Sequence, residues 1–104
     1  MINYLVIYED AREDTLTPDL LPSILKGHVE HLRDLHFQGI LFICRALKNC
    51  NDKRLSIFKA NSLEEVENYV LKDPLILHKY YASYRIFELI AANDSNNWLM
   101  EGVC

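Results

Sequence analysis

No part of this sequence concentrates positive charge. Its lysines and arginines are scattered (Lys26, Arg33, Arg45, Lys48, Lys53, Arg54, Lys59) without a run or any interleaving with aromatics, and the net charge is −4. A nucleic-acid partner needs a concentrated positive face, so none is expected. Long hydrophobic runs are missing too. The longest clearly apolar stretch, Ile40-Leu41-Phe42-Ile43-Cys44, is far short of the ~20 residues a membrane span needs. The opening residues, Met1 to Leu5, carry no positive region and soon reach Glu9 and Asp10, unlike a signal peptide, so no membrane partner is expected. The three cysteines (Cys44, Cys50, Cys104) form no CxxC, and an odd count suits a disulfide framework poorly. They read as reduced thiols in a cytoplasmic protein. Internal repeats, low-complexity segments, a phosphate-binding loop, a dinucleotide fingerprint and a Ser-His-Asp order are all absent.

What is present fits one globular domain. The chain has 104 residues, half of them hydrophobic, enough for a single core. Ile2 to Tyr8 reads as a strand, with Tyr4, Val6 and Tyr8 on one face and Leu5 and Ile7 on the other. A polar loop follows from Glu9 to Thr15. Thr17-Pro18-Asp19 carries the signals of a helix start, and the helix should run to about Phe37, where Gly39 stops it. Ile40 to Leu47 reads as a second strand, Lys48 to Lys53 as a turn, and Arg54 to Ala60 as a third strand. Ser62-Leu63-Glu64-Glu65 is a capping box that opens a second helix ending at Asp73-Pro74, because proline does not continue a helix comfortably. Tyr80 to Ala91 reads as the last strand.

Strand, helix, strand, strand, helix, strand is the split βαβ, ferredoxin-like arrangement of an α+β domain, with both helices on one face of an antiparallel sheet. The other face should then read polar. It does not: the first strand sets Tyr4 and Val6 against Leu5 and Ile7, and the last sets Tyr84, Ile86 and Ile90 against Tyr81, Phe87 and Leu89. With no helix left over, a second copy of the chain is the simplest cover, and a homodimer is expected. The domain is expected over residues 1–92, and residues 93–104 form a tail whose Trp98, Leu99 and Met100 should dock on the body or on the partner.

The first helix holds an oddity. Projected at 100° per residue, Leu21, Leu32 and Leu35 fall within about 40° of His28. An imidazole thus occupies the middle of a leucine stripe, with His31 and His36 toward its rims. It is either a structural histidine satisfied by a hydrogen bond or a functional one, and an unpaired buried nitrogen costs about 1–3 kcal/mol. Asp73 is a candidate partner. At the carboxyl end of a helix a carboxylate is locally unfavourable; the Asp-Pro pair is either a plain helix-ending turn or the source of that carboxylate. An aspartate beside a histidine fixes its tautomer and supports it as a base.

Four stretches in order, Tyr4-Leu5-Val6-Ile7-Tyr8-Glu9-Asp10, His28-Val29-Glu30-His31-Leu32 with Gly39, Asn61-Ser62-Leu63-Glu64-Glu65-Val66, and Asp73-Pro74, make the chain resemble the YCII-related proteins. These are small dimeric α+β-barrel domains related in fold to muconolactone isomerases. The resemblance spans residues 2 to 91 and implies that His28 and Asp73 form a catalytic dyad. The chain departs from the family late in the second strand, where Arg45-Ala46 replaces a Gly-Pro that opens the pocket. Arg45 either narrows the cleft, offers its guanidinium to an anionic ligand, or is an ordinary strand arginine facing solvent. The candidate ligand contacts are Tyr8, His31, Arg45 and His78, with tyrosine packing and a surface histidine as competing readings of Tyr8 and His78. His28 and His31 lack an acidic third ligand in a recognised pattern, so no metal is expected, and no cofactor either.

Two functions follow. In one, a small enzyme uses His28 and Asp73 for acid–base chemistry, such as isomerisation or elimination, on a small organic metabolite. In the other, a non-catalytic ligand-binding or interaction domain keeps the pocket without turnover. They differ in whether His28 and Asp73 meet within hydrogen-bond reach beside an open cavity.

Overall fold

The structure, a computed structural model, describes residues 1–12, 17–47 and 50–100, and for 50–52 the backbone alone. Its elements are β1 (Ile2–Ala11), α1 (Leu21–Phe37), β2 (Leu41–Leu47), β3 (Cys50–Ala60), α2 (Leu63–Leu71), α3 (Pro74–Leu77) and β4 (Tyr81–Glu88), followed by 3₁₀ turns over Asp94–Leu99. The four strands form one antiparallel sheet in the order β2-β3-β1-β4, the ferredoxin-like α+β arrangement.

Several boundaries differ from the expected ones. β1 continues through Ala11, because Glu9 and Ala11 still pair with Ser83 and Tyr81; the rest of the expected loop, 13–16, lies outside the described residues. Thr17 does not cap α1 with its side chain. Its carbonyl instead accepts from Leu20 and Leu21, so a turn precedes the helix and Pro22 falls in the first helical turn, where a missing N–H costs nothing. The turn expected at Lys48 to Lys53 is shorter, since β3 begins at Cys50; Lys48 and Asn49 lie outside the described residues. A further helical turn, α3, follows Asp73, because Pro74 stands at its first position. The end of α1 is as expected. Gly39 at φ +78° donates to His36 O at 3.0 Å and Ile40 donates to Leu35 O at 2.9 Å, the paired bonds of a glycine-stopped helix.

The helices cover one face of the sheet. Tyr4 and Val6 of β1, with Phe58 and Ala60 of β3, are buried against Ile24 of α1 and Val66 of α2. Tyr81 does not point to the outer face as alternation suggests. Beside Asp10, at φ +57°, the ring turns inward and its centroid lies 5.4 Å from that of Tyr8. The uncovered face keeps Leu5, Ile7, Leu55 and Ile57 at its centre, all half-buried in the lone chain. Charged groups rim them: Arg85 lies 5.5 Å from the Phe87 ring centroid, Lys59 lies 5.3 Å from that of Phe42, and Glu9 pairs with Arg85 and Lys53. In the tail, Trp98 is 61% and Met100 79% exposed, so they do not dock on the body of their own chain. Trp98 instead donates to Asp94.

Burial pushes the Tyr8 hydroxyl far above its ordinary pKa of 10.0, the nearby Asp73 carboxylate adds to the rise, and the Ser56 hydroxyl pulls the other way without completing an ordinary hydrogen bond. Tyr81 is pushed up to about 12, chiefly by burial and against the pull of Arg54. Above pH 10 the unfolded chain releases protons that the folded chain retains, so stability intact below pH 10 is lost as pH rises toward 12. Denaturant midpoints measured across that range should fall in the native protein and fall less in Tyr8→Phe. An equal slope in both would contradict the assignment.

Candidate functional site

The site starts from a close approach of two helices. Gly27 on α1 faces the first residue of α3, and a β-carbon there would meet Pro74 Cγ at 3.2 Å. With no side chain at Gly27, the neighbouring residues of both helices come together. His28 Nδ1 lies 2.8 Å from Asp73 Oδ1 and 2.9 Å from Oδ2. A carboxylate only accepts, so Nδ1 carries a proton and, in the neutral ring, Nε2 carries the lone pair. Nε2 has no hydrogen-bond partner among the described residues. The His28 side chain is 22% exposed, less deeply buried than the middle of a leucine stripe implies, because a cleft opens beside it.

Asp73 sits differently from its expected place at an unfavourable helix end. Its Oδ1 accepts from Leu75 N–H at 2.9 Å and caps the start of α3, so the carboxylate meets a donor rather than the last carbonyls of α2. Its own N–H donates to Val70 O at 3.1 Å, and its carbonyl accepts from Ile76 and Leu77, each at 2.9 Å. The residue is 2% exposed, and its backbone and side chain are both held.

The cleft, about 480 Å³, lies between α1 and the edge strand β2. One wall is the helix face of His28, Val29, Leu32, Arg33 and His36, at successive turns; the other is Leu41 to Arg45. A register shift between Leu41 and Ile43 breaks the alternation of β2: Leu41 and Cys44 stand opposite Phe58 and Ser56 on the helix side, and Ile43 and Arg45 opposite Ile57 and Leu55 on the uncovered side, so the cleft borders the open edge of the strand. His36 donates from Nδ1 to Leu41 O at 3.2 Å, tying the end of α1 to the start of β2.

Of the residues named from sequence, His28, Asp73 and Arg45 belong to this region. Tyr8, His31 and His78 do not line the cleft. Tyr8 is in the core at 4% exposure. His31 donates from Nε2 to Tyr69 O at 2.9 Å, pinning α1 to α2. His78 is exposed at the end of α3. The cleft is apolar and basic, with no tyrosine in its lining. Arg33 and His36 were not singled out as site residues. At 100° per residue His36 falls about 80° and Arg33 about 140° from His28, so the helical projection sets Arg33 toward the far side and gives no signal for it. Among the described residues, no three His, Cys, Asp or Glu side chains gather as a metal site requires.

No family model matches the chain, and no curated protein matches its sequence. Solved structures share its fold, including these two. One is 5-chloro-2-hydroxyhydroquinone dehydrochlorinase (TftG) from Burkholderia phenoliruptrix AC1100, in complex with 2,5-dihydroxybenzoquinone, at TM-score 0.54 and 17% identity over 90% of this chain and 99% of that one. The other is an antibiotic biosynthesis monooxygenase at TM-score 0.55 and 7% identity, over 89% of this chain and 100% of that one. Identities this low establish a shared α+β fold and nothing finer.

Gly27 offers a direct test of how the site is positioned. Gly27→Ala needs a shift of a few tenths of an ångström and gains about 1 kcal/mol in helix propensity, so its melting temperature should stay near that of the native chain. Gly27→Val should force α1 from α3 and cost about 1–3 kcal/mol, with faster amide exchange at 73–77. A valine variant as stable as the alanine one would show that the close approach is not required.

Proposed function

We propose that this chain is a small YCII-like enzyme in which His28 moves a proton on an organic molecule bound between α1 and β2. The supporting observation is the division of labour on one imidazole: Nδ1 is held by Asp73, and Nε2 has no protein partner among the described residues, in a residue that lines a cleft of about 480 Å³. In this reading Nε2 takes a proton from the bound molecule while Asp73 stabilises the imidazolium that forms. Returning the proton at another atom completes an isomerisation; expelling a leaving group completes an elimination. A dehydrochlorinase of a small hydroxylated ring on the same fold is compatible with the second course. The reduced-thiol reading of the cysteines assigns it to the cytoplasm.

The test begins with a metabolite library screened by thermal shift, since a ligand of the folded state raises the melting temperature. On the molecule so found, His28→Asn and Asp73→Asn should each lower turnover by about 10²–10⁴-fold with the fold intact. If His28 were only structural, His28→Leu would be neutral or stabilising and no turnover would be seen in the native chain. That outcome would leave a ligand-binding domain.

The same proposal includes a homodimer through the uncovered sheet face. Its apolar centre of Leu5, Ile7, Leu55 and Ile57 within a charged rim has the composition of an interface core. Sedimentation at micromolar concentration should show a dimer that Ile7→Glu converts to a folded monomer. A native chain that sediments as a monomer would refute it.

A further inference from the structure

We infer that Cys44 is a second reactive group of the cleft, a thiol that adds to the electrophilic carbon of a conjugated carbonyl compound while His28 carries off its proton. The inference rests on the reading of His28 as the base of this cleft, and it names a covalent step which that reading does not contain. Cys44 is a half-buried free thiol that lines the cleft together with His28. Its pairing with Ser56, which in turn pairs with the buried Val6, turns it to the helix side of the sheet.

The course of the chain brings the two residues to one level. α1 and β2 are tied where His36 Nδ1 meets Leu41 O at 3.2 Å, and both run away from that tie along the cleft. From His36 back to His28 is about 12 Å of helix, and from Leu41 on to Cys44 is about 10 Å of strand. Tyr8 gives a second bearing. The Asp73 carboxylate and the Cys44 thiol both raise the pKa of its hydroxyl, so the sulfur and the carboxylate that holds His28 flank one buried ring. No hydrogen bond joins Cys44 to His28, which leaves the space between them to a bound molecule.

Ser56 is an independent sign of a missing partner. It is fully buried, and its Oγ has no hydrogen-bond partner among the described residues. It stands directly across from Cys44 on the same face, where opposite β-carbons lie about 4.5–5.5 Å apart. A thiolate at Cys44 would give that hydroxyl an acceptor. In the step, the thiol gives its proton to His28 Nε2 and the sulfur forms a bond to the β-carbon. The C=C electron pair moves toward the carbonyl, and His28 returns the proton at the α-carbon. Nothing is oxidised and no group leaves. The exposed apolar surface of Val29 and Phe42 in the same cleft suits an apolar body on the ligand.

The probe is N-phenylmaleimide, a conjugated carbonyl on an apolar body, added to the full chain at neutral pH, with the adduct at Cys44 followed by peptide mass spectrometry. Burial alone would make Cys44 react more slowly in the native chain than in the urea-unfolded one. The inference predicts the opposite, a native rate at least about 10-fold above the unfolded one. His28→Asn and His28→Gln, each checked for an intact melting transition, should lose that advantage. A native thiol slower than the unfolded one, or an advantage that survives in a folded His28 variant, would overturn the inference. Alkylation that depends on His28 in a chain without turnover would sustain it and remove the isomerisation or elimination reading. Full turnover by Cys44→Ser, with a native thiol no faster than the unfolded one, would sustain that reading and overturn this inference alone.

Discussion

Asp73 takes a carboxylate almost completely out of water, and much of the architecture around it answers that demand. A buried charge left without partners is strongly destabilising, by about 3–5 kcal/mol when one member of a buried pair is removed. Here the carboxylate accepts from the Leu75 N–H and from His28 Nδ1, each a charge-assisted bond or close to one. The first sets the start of α3. The second sets the rotation of α1, because only one helix face can present His28 to Asp73 while Ile24 and Leu35 stay buried. The contact between α1 and α3 depends in turn on Gly27, where a larger residue would strike Pro74.

The cleft follows from the same placement. α1 is held to α3 at Gly27 and His28. The helix is then closed by Gly39 and re-attached to β2 through the His36 to Leu41 bond. Between these two attachments lies the opening lined by Val29, Leu32 and Phe42. Structural groups thus fix the walls, and His28 Nε2, without a partner among the described residues, belongs to a residue that lines the opening. A site held by its supports and unsatisfied at its centre is the arrangement that acid–base chemistry on a bound molecule needs.

Strong local signals in the sequence carried the fold. Alternation marked the strands, Ser62 and Glu65 marked the start of α2, where Ser62 Oγ accepts from Glu65 N–H at 3.2 Å, and Gly39 marked the end of α1. The losses have physical causes. α3 is four residues long, too short for helical periodicity to register, and Asp-Pro reads as a terminator although it also starts a helix. The polar start of β3 carries no strand pattern of its own and is extended by pairing with β2. His28 was conspicuous as an imidazole among leucines, but its partner is 45 residues away, and spacing at that range carries no geometry. The register shift in β2, which sets Ile43 and Arg45 on the uncovered side of the sheet, is a tertiary feature. For this reason Arg45 was ambiguous from sequence, and Arg33 drew no attention.

The central claim is that Asp73 fixes the proton of His28 on Nδ1 and leaves Nε2 bare toward the cleft. Long-range proton–nitrogen NMR of the histidine rings, at a pH where His28 is neutral, reads this directly. The account predicts that His28 is the Nδ1–H tautomer in the native chain and loses that preference in Asp73→Ala. A native chain with the proton on Nε2, or an alanine variant with an unchanged tautomer, would contradict it.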